Sequence, residues 1–100
     1  MTKVSIIMTC HNGEQYLRQA IKSIITQTFK KWELIFFDNN STDNSKKILY
    51  EFKDKRIFYF KNNFTLKLGA ARNLAFKKCK GDLITFLDVD DLWNKNKLML

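Results

Sequence analysis

Apolar and polar residues follow two rhythms along this chain, and the rhythms take turns. Val4-Ser5-Ile6-Ile7-Met8-Thr9 is a short apolar, β-branched run of strand length. From Glu14 to Gln27 the apolar positions Tyr16, Leu17, Ala20, Ile21, Ile24 and Ile25 recur at helical spacing. Trp32 to Phe37 is a second strand pattern, centred on Leu34-Ile35-Phe36-Phe37. A shorter helical stretch follows with Ile48, Leu49 and Phe52 inward, and Thr42 or Asp43 is its expected cap. Ile57-Phe58-Tyr59-Phe60 predicts a third strand, and Asn62 to Leu68 a loop. The third helix has Ala70, Ala71, Leu74, Ala75 and Cys79 on one face, and Gly81 is expected to end it in the left-handed conformation. Leu83-Ile84-Thr85-Phe86-Leu87 predicts the fourth strand, and Lys97-Leu98-Met99-Leu100 the opening of another helix.

Regular alternation of strand and helix, with nearly continuous apolar strands, predicts an α/β fold of three layers: a mainly parallel sheet with helices on both faces. Neither repeats nor linkers interrupt it. Right-handed crossovers place every strand-to-helix loop at the carboxyl edge of the sheet, where such folds bind ligands. The polar clusters fall at that edge: Thr9-Cys10-His11-Asn12-Gly13 after the first strand, Asp38 to Asp43 after the second, and Asp88-Val89-Asp90-Asp91 after the fourth.

Composition narrows the class. One hundred residues make one domain or a piece of one, and 45% hydrophobic residues suffice for a core. Three glycines and no proline exclude collagen-like and low-complexity chains. Cys10 and Cys79 match no zinc or CxxC spacing, which predicts free thiols in a reduced, cytoplasmic setting. No apolar run is long enough to cross a bilayer, and Met1-Thr2-Lys3-Val4 leads straight into a strand, unlike a signal peptide. The net charge is +8, carried mostly by scattered lysines with only Arg18, Arg56 and Arg72 beside them. That pattern argues against a nucleic-acid reader, which needs arginine forks, and leaves peripheral attraction to anionic lipid at the inner face of the membrane open.

Three carboxylates in the four residues from Asp88 to Asp91 repel one another unless something offsets their charge. Alternation at a strand end points Asp88 and Asp90 the same way, which suits a hard cation such as Mg2+ or Mn2+ shared with phosphate oxygens. A solvated acidic turn is the bland alternative, and it loses because the motif follows a buried strand beside two other polar loops. Asp38 and Asn39 sit together at a strand terminus, where both side chains are expected to face the ligand crevice. His11, the only histidine, has no triad partner in the sequence but is a flat ring suited to stacking on a base. Arg72, near the start of the third helix, is a candidate phosphate or base contact.

Taken in order, these residues resemble the family 2 glycosyltransferases of the GT-A fold. The likeness covers Val4 to Gly13 with Tyr16-Leu17, Ser23-Ile24 to Gln27-Thr28-Phe29, Glu33-Leu34-Ile35 to Asp43, Ala71-Arg72-Asn73, and Gly81 to Trp93. The resemblance implies a Rossmann-like nucleotide-diphospho-sugar transferase fold and inverting transfer of a sugar from a nucleotide donor to a glycan or lipid-linked acceptor, in cell-surface polysaccharide synthesis. It implies that Thr9 and His11 line the nucleobase pocket, that Asp38 and Asn39 read base and ribose, and that Arg72 contacts the nucleotide. Asp88 and Asp90 match the D-x-D, with Asp90 the direct metal ligand and Asp91 facing sugar or ribose. The metal is expected to bridge the two phosphates as a Lewis acid.

Two departures from the family pattern matter. His11 stands where the family commonly has Tyr, and Asn39 where it has a second acid. An amide both donates and accepts, the pair of groups that uracil and thymine offer, which predicts a UDP- or dTDP-sugar donor. The resemblance places the family's catalytic base well past the metal motif. The base is therefore expected beyond Leu100, and no catalytic residue within this chain. Residues 1–100 are predicted to be the donor-binding half of a larger domain and inactive alone, with a sheet edge free to pair with a second copy. Rival classes fit less well. A haloacid-dehalogenase phosphohydrolase places its D-x-D on the first strand, an oxidoreductase needs G-x-G-x-x-G, a nucleotidyltransferase a Gly-rich first loop, and a basic polyanion-binding module needs no acidic tip.

Overall fold

The structure is a computed structural model that describes residues 3–89. Seven elements follow one another: β1 (Val4–Cys10), α1 (Glu14–Ile25), β2 (Trp32–Asn39), α2 (Ser45–Leu49), β3 (Ile57–Asn62), α3 (Leu68–Phe76) and β4 (Leu83–Phe86). The strands form one sheet in the order β3-β2-β1-β4, and every neighbouring pair is parallel. The α/β expectation is met, element for element, through β4. The helix expected to open at Lys97-Leu98-Met99-Leu100 lies outside the described residues.

Strand alternation distributes the core between the two faces. Val4, Ile6, Met8, Trp32, Leu34 and Phe36 point to one side, where Leu17, Ala20, Ile21 and Ile24 of α1 and Ile48 and Leu49 of α2 cover them. Ile7, Ile35 and Phe37 point to the other, against Ala71 and Ala75 of α3. Small residues let α3 lie close to the sheet. Of the other expected core positions, Cys79, past the end of α3, packs partly buried against this cluster, while Ala70 is exposed and Leu74 36% exposed. Tyr16 is likewise exposed, because the stripe on α1 that meets the sheet is only as wide as Leu17, Ala20, Ile21 and Ile24.

Gly81 corrects an expectation. α3 ends at Phe76, its cap Lys77 is right-handed, and no glycine among the described residues has positive φ. The glycine is required for space: a Cβ there would lie 2.7 Å from Ser5 N and Ser5 Oγ and 2.8 Å from the Lys3 carbonyl. Gly81 N–H donates to Ser5 Oγ at 2.7 Å, and the Ser5 hydroxyl donates in turn to the buried Glu33 carboxylate. Lys80 N–H also donates to Glu33 at 2.7 Å, and Lys3 Nζ lies 3.5 Å from it. Burial opposes the charge of Glu33, but those hydrogen bonds and the lysine outweigh it and hold its carboxyl below the usual range.

Candidate active site at the carboxyl edge

Two asparagines, rather than glycines, make the left-handed turns that shape the carboxyl edge. Asn12 has φ 54° and Asn40 φ 58°, a conformation that asparagine tolerates better than most residues. Asn12 Oδ1 accepts from Thr42 N–H at 2.7 Å and from Asp43 N–H at 3.2 Å. Ser41 Oγ accepts from Asn12 N–H at 2.9 Å, and Ser45 Oγ from Gly13 N–H at 3.1 Å. These bonds clasp the loop after β1 to the loop after β2. Asp43 closes the clasp, accepting from Glu14 N–H at 3.0 Å and from Ser45 N–H at 2.9 Å. Burial opposes its charge, but the hydrogen bonds prevail and hold its carboxyl low. Neither expected residue is the cap of α2: Asn44 stands there without a side-chain cap bond. Asp43, one residue earlier, accepts from α2 only the Ser45 N–H, and the Thr42 hydroxyl turns to Asn12 at 3.3 Å.

The loop after β4 joins them through Gly13, where a Cβ would meet Val89 Cγ2 at 2.8 Å and Cys10 Sγ at 3.0 Å. The result is a cleft of about 300 Å³ lined by Thr9, Cys10, His11, Asn39, Thr65, Leu66, Leu68 and Asp88. Thr9, His11, Asn39 and Asp88 come together as the sequence predicted. His11 Nδ1 lies 2.8 Å from the Asn39 carbonyl. A carbonyl can only accept, so Nδ1 carries the proton and holds the ring against the end of β2. Arg72 does not line the cleft but reaches it through Asp88, with Nη2 3.2 Å from Oδ1. Burial pushes the Cys10 thiol up, so it lines the wall as an uncharged group.

Asp38 and Asn39 cannot both face the crevice, because adjacent strand residues point to opposite faces. Asp38 lies on the α1/α2 side, buried, where its carboxylate accepts from Tyr59 O–H at 2.6 Å and from Ser41 N–H at 2.9 Å. Tyr59, stacked on Phe36, is pushed well up in pKa by burial and by that bond. Asn39 does line the cleft, but its amide is already paired: Oδ1 accepts from Leu66 N–H at 2.9 Å and Nδ2 donates to the Leu66 carbonyl at 2.8 Å. The amide expected to read a pyrimidine thus straps the loop before α3 in place. Asp90 and Asp91 lie outside the described residues, as does the stretch up to Leu100 past which the catalytic base is expected.

Sequence reasoning missed Asn12, Tyr59 and Leu66. Asn12 left a trace, since an Asn before Gly at a strand end signals a left-handed turn; Tyr59 and the Leu66 backbone left none. The donor set fits a hard dication in part. Asp88, with its side chain 57% exposed, offers a carboxylate at the cleft wall, and the described residues hold no cluster of three metal-ligating side chains. Mg2+ and Mn2+ need only one or two carboxylates when phosphates supply the rest, so Asp88 suffices as the described share. A larger cleft of about 450 Å³ lies at the opposite edge of the sheet and contains none of the predicted site residues.

Comparison with known proteins gives the family and the fold. The chain is 42% identical over 95 residues to the UDP-Glc:alpha-D-GlcNAc-diphosphoundecaprenol beta-1,3-glucosyltransferase WfgD of Escherichia coli, covering 95% of this chain and 38% of that protein. It is 36% identical over 97 residues to the putative teichuronic acid biosynthesis glycosyltransferase TuaG of Bacillus subtilis, covering 95% of this chain and 38% of that protein. The crystal structure of S. aureus TarS in complex with UDP matches with a TM-score of 0.91 at 30% identity, over 96% of this chain and 30% of that one. A mannosyltransferase from Pyrobaculum calidifontis in complex with GDP-Man and Mn2+ shares the fold, with a TM-score of 0.87 at 20% identity over 92% of this chain and 28% of that one. The chain spans about two fifths of the length of the first curated relatives it matches. The model of "Glycosyl transferase family 2" matches residues 5–99, and the chain belongs to that family, with the GT-A fold.

Proposed function

We propose that these residues form the donor-binding half of a metal-dependent, inverting glycosyltransferase that takes a UDP- or dTDP-sugar. The acceptor is a glycan or lipid-linked saccharide of cell-surface polysaccharide synthesis, handled at the inner face of the membrane. The observation that carries this reading is the cleft joining Thr9, His11 and Asn39 to Asp88 at the carboxyl edge. Its support comes from relatives: WfgD is a UDP-glucose enzyme acting on a diphosphoundecaprenol acceptor, and TarS is seen with UDP.

In this reading His11 offers a ring face to the base while its Nδ1–H stays on the Asn39 carbonyl. Thr9 lines the same end. Asn39 acts through the Leu66 loop it holds, and Asp38 through the turn it fixes at Ser41. Asp88 would hold the dication together with Asp90, and Asp91 the ribose or sugar. When bound, that dication supplies Lewis-acid neutralisation of the departing diphosphate. Arg72, paired with Asp88, stands where it can turn to a phosphate once the carboxylate is otherwise engaged. The catalytic base and the acceptor pocket belong to the part of a longer protein that follows Leu100.

Calorimetric titration of UDP, dTDP and GDP with Mn2+ tests the reading. Uridine or thymidine diphosphate should bind with an absolute requirement for metal. Preference for GDP would refute the donor, metal-independent binding would refute the cation, and appreciable sugar transfer by the 100 residues alone would refute the division into halves.

A further inference from the structure

The amino edge of the sheet, opposite the donor cleft, carries a charge imbalance that the proposed reaction does not use. Nine of the 18 lysines and arginines fall in the segments leading into the four strands, at residues 3, 26–31, 50–56 and 77–82. Those segments hold three acids, Glu51, Asp54 and Asp82, and each is engaged: with Arg18, with Arg56 and with the Lys3 backbone N–H. The cleft of about 450 Å³ opens there, within the size range of small-ligand sites.

Its walls divide into fixed and free groups. Arg56 is fixed: it forks onto Asp54 at 2.9 and 2.7 Å, donates to the Lys30 carbonyl at 3.1 Å, and lies 3.7 Å over the Trp32 ring. Glu33, the one acid in the lining, is committed to Ser5, Lys80 and Lys3. Lys30, Lys31 and Lys55 are exposed and have no acidic partner among the described residues. Trp32, 2% exposed, forms part of the lining, and its indole N–H is the one buried side-chain polar atom among the described residues without a hydrogen-bond partner. Three free ammonium groups around one cavity whose single acid is already committed call for an anion rich in acceptor oxygens.

We propose that this groove binds a phosphate group, carried by a soluble phosphate compound or by a lipid headgroup. It stands apart from the donor cleft, so its fate does not depend on the glycosyltransferase reading. The whole 100-residue chain is used, with Trp93→Phe leaving Trp32 as the only tryptophan, and EDTA present to silence metal-dependent binding elsewhere. Inorganic phosphate is titrated by Trp32 fluorescence, and vesicles of phosphatidylglycerol or phosphatidylcholine are tested by co-sedimentation. A saturable change with phosphate identifies a soluble ligand; binding to phosphatidylglycerol alone identifies the headgroup. In either case Lys31→Glu/Lys55→Glu should weaken binding at least about tenfold and Lys31→Gln/Lys55→Gln less, with unchanged circular dichroism, and added salt should weaken it further. Silence with both probes, equal binding to the two vesicle types, or full affinity in the charge-reversed variant overturns the proposal.

Discussion

Replacing Gly81 by Ala should destabilise the fold far more than a single methyl group suggests. The added Cβ would sit 2.7 Å from Ser5 N and Oγ and 2.8 Å from the Lys3 carbonyl. Two of those three atoms are backbone at the start of β1, which is held between β2 and β4 and cannot retreat alone. The segment from Lys80 to Leu83 must move instead, loosening the bond from Gly81 N–H to Ser5 Oγ and those from Asp82 and Leu83 N–H to the Lys3 carbonyl. Overpacking costs roughly 1–3 kcal/mol and a weakened buried hydrogen bond about 1 more, so about 2–4 kcal/mol is expected. In urea the midpoint should fall by on the order of 1–2 M at constant slope. Gly69→Ala is the control: nothing lies within 4 Å of its added Cβ, and in α3 it should stabilise by up to about 0.5–1 kcal/mol. A Gly81→Ala cost below about 0.5 kcal/mol would refute the steric account.

Three further outcomes follow from the geometry. Tyr59→Phe strips the 2.6 Å donor from the buried Asp38 carboxylate and should cost about 1–3 kcal/mol by urea melting, whereas the exposed Tyr50→Phe should be near neutral. Asp88→Asn should weaken Mn2+-dependent UDP binding at least about tenfold by calorimetry while leaving the melting temperature nearly unchanged, since its side chain is 57% exposed. Glu33, Asp43 and Asp54 are all held below their unfolded values of 4.5, 3.8 and 3.8. The folded state then binds fewer protons than the unfolded one, so their contribution is complete above about pH 4.5 and is lost as pH falls through the depressed values. Chemical denaturation from pH 6 to 3 should show that decline, and Glu33→Gln should flatten it.

The apolar rhythm made the sheet, its parallel sense and the polar loops at its carboxyl edge legible, because burial of both faces leaves few other arrangements for Val4 to Cys10 or Trp32 to Phe37. Thr9, His11 and Asn39 were legible for the same reason, since they end or follow buried strands. Asp88 instead follows β4, an edge strand that leaves Leu83 and Phe86 exposed and so is not the buried strand expected there. What stayed hidden depended on contacts between distant segments. The pairing of Asn39 with Leu66 belongs to a loop without periodicity, and the bond from Tyr59 to Asp38 requires the register that sets Phe36 beside Tyr59. Gly81 was misread because local rules offer a helix terminus as the usual reason for glycine, whereas its reason lies 76 residues away at Ser5.

The missing side chain at Gly13 ties the two ends of the cleft together. Because Val89 nests in that recess, the turn that carries His11 and the tip that carries Asp88 share one wall. Chimeras that import the first turn from a relative would then disturb the acidic tip as well. Transplanting both segments as a matched pair is the exchange this architecture permits.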